Sequence, residues 1–224
     1  MIIAIDGPSS AGKSTLGRML ARELAFLYLN TGAMYRAVAL AVIEAGLDVT
    51  DPGVVTLAEQ ADIVLAGDPD SMQVMLNGRD VSELITSESV SHMASMVSTI
   101  PGVRRALVAR QRIMGEQAHG AVLDGRDIGT VVFPRAEVKF FLVAGAEERA
   151  RRRYEEDLLK DRDVTYEETL ADLQRRDERD TTREDSPLVS APDAIKVDST
   201  GLSIPEVLEK MLAIVRSKLA SRTA

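Results

Sequence analysis

The chain contains no cysteine and no tryptophan, and only two of its 224 residues are histidine. Without cysteine it can form neither a disulfide framework nor a thiolate metal site. Nor does any stretch stay apolar for the roughly 20 residues that a membrane-spanning helix requires. His92 and His119 have no partner pattern around them and are interpreted as ordinary polar residues. The sequence therefore excludes a disulfide-stabilised scaffold and predicts no membrane partner.

Basic residues are in the minority, because 27 Lys and Arg stand against 35 Asp and Glu, for a net charge of −8. Most of such a surface would repel the phosphates of a nucleic acid polymer. An anionic substrate must then be held by local arginines. The first residues run directly into a predicted core strand, which leaves no room for a signal peptide, so we expect a cytoplasmic enzyme. A length of 224 residues suits one buried core with space for a smaller sub-domain.

What the chain does contain is a glycine-rich stretch directly after a short apolar strand. The residues Gly7-Pro8-Ser9-Ser10-Ala11-Gly12-Lys13-Ser14 match G-x-x-x-x-G-K-[ST], and they stand between the predicted strand Ile2–Ile5 and a helix. The glycines allow backbone N–H groups and the positive end of the helix to point at phosphate oxygens. Lys13 is expected to reach the β- and γ-phosphates of a nucleoside triphosphate, and Ser14 to bind Mg²⁺. The alternative is a glycine-rich turn that only connects strand to helix.

Short β-rich runs recur along the chain, separated by helical patterns. They are Ile2–Ile5, Phe26–Leu29, Ala121–Leu123, Val138–Val143 and Ala194–Val197. Near-continuous apolar strands joined by helices are typical of a parallel sheet covered on both faces. The sequence thus predicts an α/β fold with a doubly wound, five-stranded parallel sheet of the P-loop NTPase type. A closing amphipathic helix, with Ser203 as its N-cap, is predicted to pack on this sheet.

Residues 62–81 depart from this alternation and predict an antiparallel hairpin. The apolar run Ile63–Leu65 is followed by a turn at residues 67–70, and the run Met72–Leu76 leads into Asn77-Gly78. Asn-Gly between apolar residues is a strong hairpin signal, because both positions of a type I′ turn need positive φ. A helix over 88–98 and another that begins at Pro101 follow. We therefore predict a small insert over residues 62–100, made of antiparallel strands and a helix.

Charged residues dominate the stretch from Glu147 to about Arg183, where large apolar residues are sparse. We expect that this segment is not deeply buried. One interpretation is a solvated helix pair with ion pairs between residues four apart. The other is a short charged lid, since a lid that closes on a polyphosphate needs arginines and little apolar surface. The predicted division of the chain is a core of 1–61, 101–145 and 184–224, the insert of 62–100, and lid helices at 146–183.

The stretch Asp124-Gly125-Arg126-Asp127 follows a predicted strand, at the edge where open α/β sheets place their ligands. A buried strand that ends in a carboxylate is expected for a group that orients Mg²⁺ opposite Ser14. Arg126 and Asp127 form either a surface ion pair or a site for an anion and a base amino group.

A second stretch, Thr31-Gly32-Ala33-Met34-Tyr35-Arg36, begins where the second predicted strand ends. Its polar residues either contact the substrate or serve as an N-cap, a core residue and a solvated cation. The run Arg175–Arg183 offers several guanidinium groups within two helical turns, some of which must face water.

Taken together, these stretches resemble the bacterial cytidylate kinases, which are monomeric nucleoside-monophosphate kinases of the P-loop class. The resemblance covers essentially the whole chain and rests on Gly7–Thr15, Thr31–Arg36, Asp124–Pro134 and Arg176–Arg183. It implies ATP-dependent phosphorylation of CMP and dCMP with Mg²⁺, and a monophosphate-binding role for the insert. Asn30 stands where this family more often has Asp.

The resemblance also implies roles for individual residues. The residues implied to bind ATP are Gly7, Pro8, Ser9, Ser10, Ala11, Gly12, Lys13, Ser14 and Thr15. The residues implied to be catalytic are Lys13, Arg126 and Arg176, and those implied to hold Mg²⁺ are Ser14 and, through water, Asp124. The residues implied to bind the substrate are Thr31, Tyr35, Arg36, Ser95, Arg104, Arg126, Asp127, Arg176, Asp180 and Arg183.

Elementary chemistry is consistent with a monophosphate acceptor. Such an acceptor is already an anion near neutral pH, so it needs alignment and charge neutralisation rather than a general base. Cytosine presents an amino group from which Asp127 can accept, while Arg104 donates to the ring. Kinases for UMP, AMP or a non-nucleotide alcohol are alternatives, as is a nucleotide-binding switch without turnover. A GTPase normally carries Asn-Lys-x-Asp, but neither of the two asparagines, Asn30 and Asn77, is followed by Lys.

Overall fold

The protein was analysed as a computed structural model that describes residues 1–223. The α-helices over these residues are α1 Lys13–Leu24, α2 Thr31–Glu44, α3 Gly53–Gln60, α4 Glu88–Val97, α5 Pro101–Gln117, α6 Ala146–Leu158, α7 Tyr166–Thr182 and α8 Ile204–Thr223. The strands are β1 Ile2–Asp6, β2 Leu27–Asn30, β3 Ile63–Ala66, β4 Gln73–Leu76, β5 Arg79–Asp80, β6 Ala121–Gly125, β7 Val138–Val143 and β8 Ile195–Asp198. A 3-10 turn covers Leu84–Thr86, and a π-helical turn covers Ile128–Val132.

Within the described residues the main sheet has five strands in the order β2-β6-β1-β7-β8. β1 pairs in parallel with β7, where Ile5 lies opposite Phe140, and β7 pairs in parallel with β8. The α/β fold with a parallel five-stranded sheet is confirmed. Two strands begin one residue later than predicted, β2 at Leu27 and β8 at Ile195.

Burial explains why these runs form strands. Every residue of β6 is buried, as are four of the five in β1, which fits strands that are apolar on both faces. β8 lies at the edge of the sheet, and three of its four residues are exposed. In α8, Val207, Met211 and Val215 are fully buried, so the predicted apolar face of the closing helix is confirmed.

The second sheet is antiparallel and has the order β3-β4-β5. Ile63 pairs with Leu76, and Leu76 also pairs with Arg79 across a two-residue turn. Asn77 and Gly78 in that turn have φ values of 51° and 78°, as a type I′ turn requires. The predicted hairpin is therefore confirmed. The helix α3 was not predicted.

The chain forms two compact units. The first comprises Met1–Leu20 together with the chain from Asp124 onward, and the second comprises Ala21–Leu123. A hydrophobic core inside the second unit is built from α2 to α5 together with β3 and β4, and it contains the fully buried side chains of Met34, Val54 and Leu107. The predicted boundaries at 62 and 100 stay a prediction.

The charged segment forms the two helices α6 and α7. Ion pairs between residues four apart run along them, such as Arg152 with Glu148 at 2.9 Å and Arg176 with Asp172 at 2.8 Å. The expectation that the segment is not deeply buried is wrong for several residues, because Arg149, Asp157 and Asp180 are each at most 7% exposed. These charges are buried with opposite charges beside them, which is how buried ionic groups are tolerated.

Among the described residues, no helix combines the length and the apolar character that crossing a membrane requires.

Candidate active site

The glycine-rich loop connects β1 to α1. Gly7 has a φ of 148°, and a Cβ atom there would lie 2.2 Å from the carbonyl oxygen of Leu142 in β7. A side chain is therefore excluded at this position. Ser10 and Gly12 also have positive φ, at 57° and 92°. Such alternation of backbone conformation turns successive N–H groups toward one side of the chain, which creates a concave anion-binding surface.

Lys13 is 6% exposed, and its Nζ donates a hydrogen bond of 2.6 Å to the carbonyl oxygen of Pro8 in the same loop. Burial, together with the positive charge of Arg126, lowers the pKa of Lys13 to about 7. Nearby phosphates would favour the charged ammonium form. The backbone N–H groups of the loop and the ammonium of Lys13 together provide surroundings that would stabilise a bound polyphosphate.

The side chains of Ser14 and Asp124 are in contact. The hydroxyl of Ser14, at the start of α1, donates to Oδ2 of Asp124, near the end of β6, at 2.7 Å. Two neighbouring oxygen donors, one a carboxylate, are ligands that suit Mg²⁺, which takes its other ligands from water and phosphates. The donor set therefore fits the predicted cation.

Arg126 links the glycine-rich loop to α7. Its Nε donates to Asp180 at 2.6 Å, and its Nη2 donates to the hydroxyl of Ser9 at 2.7 Å. Burial opposes the charge of Arg126, but the carboxylates of Asp180, Asp177 and Asp124 raise its pKa above the ordinary value. The guanidinium thus stays charged beside the loop, and the structure brings together two residues predicted from distant segments.

Asp180 is paired on two sides. Burial raises its pKa, but Arg126 and Arg183 outweigh this effect, so the pKa of Asp180 is lower than usual. Nη1 of Arg183 lies 3.9 Å from Asp180, while its Nε donates to the carbonyl oxygen of Ser186 at 2.7 Å. The end of α7 is fixed by these contacts.

Arg176 lies one turn earlier on α7, where burial lowers its pKa and the positive charges of Arg153 and Arg126 act in the same direction. Three guanidinium groups that repel one another are suited to a shared polyanion. Arg153 was missed, because in the sequence it is one of four arginines between residues 149 and 153. No local pattern distinguishes it from its solvated neighbours.

Sequence analysis also missed Arg149, which is 5% exposed. Its Nε donates to the carbonyl oxygen of Ala144, its Nη1 to that of Ser9 at 3.1 Å, and its Nη2 pairs with Asp177 at 2.7 Å. One side chain therefore ties the start of α6 to the glycine-rich loop and to α7.

The second unit holds the other predicted substrate residues. Arg104, at 2% exposed, lies over the ring of Tyr35 with 5.8 Å between the guanidinium carbon and the ring centroid. Its Nη1 donates to the carbonyl oxygen of Ser98, whose hydroxyl donates to the carbonyl oxygen of Ser95. The structure thus groups Tyr35, Ser95 and Arg104 near the end of α4.

The start of α2 carries Thr31, which is buried, and half-buried Arg36. Thr31 is not the N-cap of this helix. Asn30 caps it, because its Oδ1 accepts from the backbone N–H of Ala33 at 3.0 Å. An aspartate oxygen could accept the same hydrogen bond, so Asn30 is compatible with the helix start.

Fold and loop together define a P-loop nucleotide-binding protein. A family model described as cytidylate kinase matches residues 3–217. The chain therefore belongs to the cytidylate kinase family.

Similarity to individual proteins extends over nearly the full length. A cytidylate kinase of Carboxydothermus hydrogenoformans is 52% identical over 219 residues, which cover 97% of this chain and 98% of that protein. A cytidylate kinase of Geobacter sp. (strain M21) is 49% identical over 221 residues, or 98% of this chain and 94% of that protein. An uncharacterised protein from Eubacterium ventriosum, of known crystal structure, shares the fold with a TM-score of 0.53 and 11% identity over 97% of this chain and 99% of its own.

Proposed function

We propose that this protein transfers the γ-phosphoryl group of ATP to CMP and dCMP, producing CDP and dCDP. The observation that carries the proposal is the family match over residues 3–217, which includes both compact units. Kinase family membership implies ATP as the phosphoryl donor, and the Ser14–Asp124 pair supports Mg²⁺ as its counter-ion. We also propose that the enzyme is a cytoplasmic monomer, and light scattering tests its oligomeric state.

The first unit is proposed to hold the donor. The loop residues from Gly7 to Thr15 would surround the phosphates of ATP, with Lys13 at the β- and γ-phosphates. Ser14 would hold Mg²⁺ directly, and Asp124 would hold it through water. The bound ion would neutralise phosphate charge. The side chains of the chain itself orient the phosphates and exclude water, which would otherwise accept the phosphoryl group.

Arginines are proposed to stabilise the transferred group. Arg126 and Arg176, together with Lys13, carry positive charge in the first unit, where Arg126 contacts Ser9 of the loop. Charge develops on the equatorial oxygens of the phosphoryl group during transfer, and fixed cations stabilise it without reorganisation. We propose that these three residues are catalytic.

Acceptor recognition is proposed to involve the substrate residues that the family resemblance implies. In this proposal Arg36 holds the monophosphate together with Arg126 and Arg176. Thr31, Asp180 and Arg183 would contact the sugar. The residues proposed to select the base are Ser95, Arg104 and Asp127, with Tyr35 beneath the guanidinium of Arg104.

A coupled assay of ADP formation with CMP, dCMP, UMP and AMP tests the proposal. We expect CMP and dCMP to be used at least about tenfold better than UMP, because the carbonyl of uracil would face the carboxylate of Asp127. Preference for UMP or AMP would instead indicate a related kinase. Binding of ATP without turnover of any acceptor would indicate a regulatory nucleotide-binding protein.

A further inference from the structure

The carboxylate of Asp6, the last residue of β1, is 3% exposed and makes a contact that the proposed mechanism does not use. Its Oδ1 accepts the backbone N–H of Ile128 at 2.8 Å, and its Oδ2 accepts that of Gly129 at 2.7 Å. These two N–H groups begin the π-helical turn Ile128–Val132. That turn directly follows Arg126 and Asp127.

The turn is also held from a second side. A Cβ atom on Gly129 would lie 3.3 Å from Oδ2 of Asp6 and 3.1 Å from the Cδ atom of Lys139. Lys139 is itself buried, and its Nζ donates to the carbonyl oxygen of Pro134 at 2.7 Å and to Asp193 at 2.8 Å. The backbone after Asp127 is therefore closely flanked by a carboxylate and an aliphatic stem, and a methyl group on Gly129 would require these neighbours to shift by a few tenths of an ångström.

We infer that Asp6 is a positioning residue, which holds the backbone of Ile128 and Gly129 so that Arg126 and Asp127 are aimed at the acceptor nucleotide. The inference rests on the proposed function and adds to it a residue that does not touch the substrate. Two charge-assisted hydrogen bonds fix the turn in two directions. Displacement of about 1 Å at a reacting group can cost as much as a hundredfold in rate.

A buried carboxylate at this place is costly, which supports a role beyond packing. Burial raises the pKa of Asp6 to about 6, the N–H groups of Gly129 and Ile128 lower it, Asp127 raises it further, and Lys13 lowers it. Asparagine has the same shape. However, its amide can accept only one of the two N–H groups and turns a donor toward the other.

The test measures kcat and KM for CMP and for UMP in Asp6→Asn. We expect kcat for CMP to fall about tenfold or more and the ratio of kcat/KM for CMP over UMP to fall as well, because Arg126 and Asp127 both shift. A residue that only stabilised the fold would leave this ratio unchanged. Asp68→Asn is the matched control, since Asp68 also accepts two backbone N–H groups, those of Asp70 and Ser71, in an exposed turn. We expect its kinetics to equal those of the wild type.

Two further variants test the inference, and the first of them keeps it falsifiable if Asp6→Asn folds poorly. Gly129→Ala keeps the Asp6 carboxylate but crowds the turn against it and against Lys139, and it should lower the CMP over UMP ratio in the same direction. In an Asp127→Asn background, Asp6→Asn should change the ratio less than about twofold, because residues that act through one another are not additive. A full additional loss would overturn the inference.

The two proposals fail in different ways. A wild-type protein that does not phosphorylate CMP contradicts the proposed function. A wild-type protein that is active, with an Asp6→Asn variant that keeps both kcat and the CMP over UMP ratio, contradicts the inference about Asp6 alone.

Discussion

At the scale of single residues, the ammonium of Lys13 lies where its charge is costly unless a polyanion is close. It is buried, and its pKa is lowered to about 7 by burial and by Arg126. In the proposed complex the phosphates of Mg–ATP would add negative charge beside it and raise that pKa. The site is thus electrostatically matched to the nucleotide.

This predicts proton uptake on nucleotide binding. At pH 8 the lysine is mostly neutral before binding and charged afterwards, so up to about one proton per Mg–ATP should be taken up. Titration calorimetry in two buffers of different ionisation enthalpy measures the number. Lys13→Met should lose this uptake, and equal uptake in both proteins would show that Lys13 does not titrate in this range.

A second prediction compares two adjacent arginines of α7. The side chain of Arg176 is 21% exposed and interacts electrostatically with Arg126, whereas the side chain of Arg175 is 63% exposed. Arg176→Ala should lower kcat about a hundredfold or more, because a fixed cation at the transferred group is lost. Steady-state kinetics should find Arg175→Ala close to the wild type. Similar losses in both variants would contradict a specific role for Arg176.

A third prediction concerns Asp127, which is 5% exposed and directly follows Arg126. The amide in Asp127→Asn offers the base a hydrogen-bond donor as well as an acceptor. The carbonyl of uracil would then no longer face a carboxylate. The preference for CMP over UMP should fall about tenfold. Competition between the two nucleotides in one assay measures this directly, and an equal loss of activity on both would rule out base selection by Asp127.

At the scale of elements, α7 carries much of the predicted arginine site and begins with a capping box. The Thr165 hydroxyl accepts from the N–H of Glu168, while the Glu168 carboxylate accepts from the N–H of Thr165 at 2.9 Å. Charged side chains dominate the helix, so little apolar burial supports its first turn. Its beginning therefore depends on the cap.

Thr165→Ala should destabilise the protein by about 1 kcal/mol, as the loss of an N-cap usually does. Amide hydrogen exchange should accelerate in the first turn of α7. Thr181→Ala is the control, because the Thr181 hydroxyl only donates to carbonyl oxygens of its own helix, a contact that adds little stability. Unchanged exchange in Thr165→Ala would show that the first turn of α7 is held by other contacts.

At the scale of the whole molecule, pH should change the free energy of unfolding through Asp6. The folded pKa of about 6 lies above the ordinary 3.8, so the folded protein binds this proton more tightly than the unfolded chain does. The contribution of Asp6 is most favourable below pH 4 and is lost as pH rises to about 6, by ~3 kcal/mol. The loss is complete above that pH.

Urea denaturation of wild type and Asp6→Asn between pH 4 and 7 checks this prediction. The difference in unfolding free energy, wild type minus variant, should decrease as pH rises. In the Asp68→Asn control the difference should stay nearly constant over this range, because hydrogen bonds from Ser71 lower the pKa of Asp68 and place its titration below pH 4. A pH-independent difference for Asp6→Asn would contradict the raised pKa.

Local sequence patterns were enough to predict those structural features that depend only on contiguous residues. The glycine-rich loop, the Asn77-Gly78 turn and the Pro101 helix start each depend on backbone preferences of a few residues, and the first two appear with the expected positive φ values. Apolar runs predicted the five parallel strands to within two residues. The helix α3 was missed because it is only eight residues long and buries only Val54 and Ala58, which is too little to give a clear helical pattern.

Contacts between residues far apart in the chain could not be predicted from the sequence. Asp6 meets a turn 122 residues away, and Arg149 contacts a carbonyl oxygen 140 residues away, so no window of sequence contains both partners. Composition likewise could not show which charges of residues 147–183 are buried, because Arg149 and Arg151 look alike in sequence. Burial depends on which face of the helix meets the rest of the unit.

The sequence by itself determined the fold class, the phosphate-binding loop and the family, because these depend on local backbone preferences and on residue types at fixed spacings. Only the tertiary structure decided which carboxylates and guanidinium groups are paired, which are buried, and how their pKa values shift. The physical reason is that electrostatic energies depend on distance and on exclusion of water, and both are set when remote segments pack together.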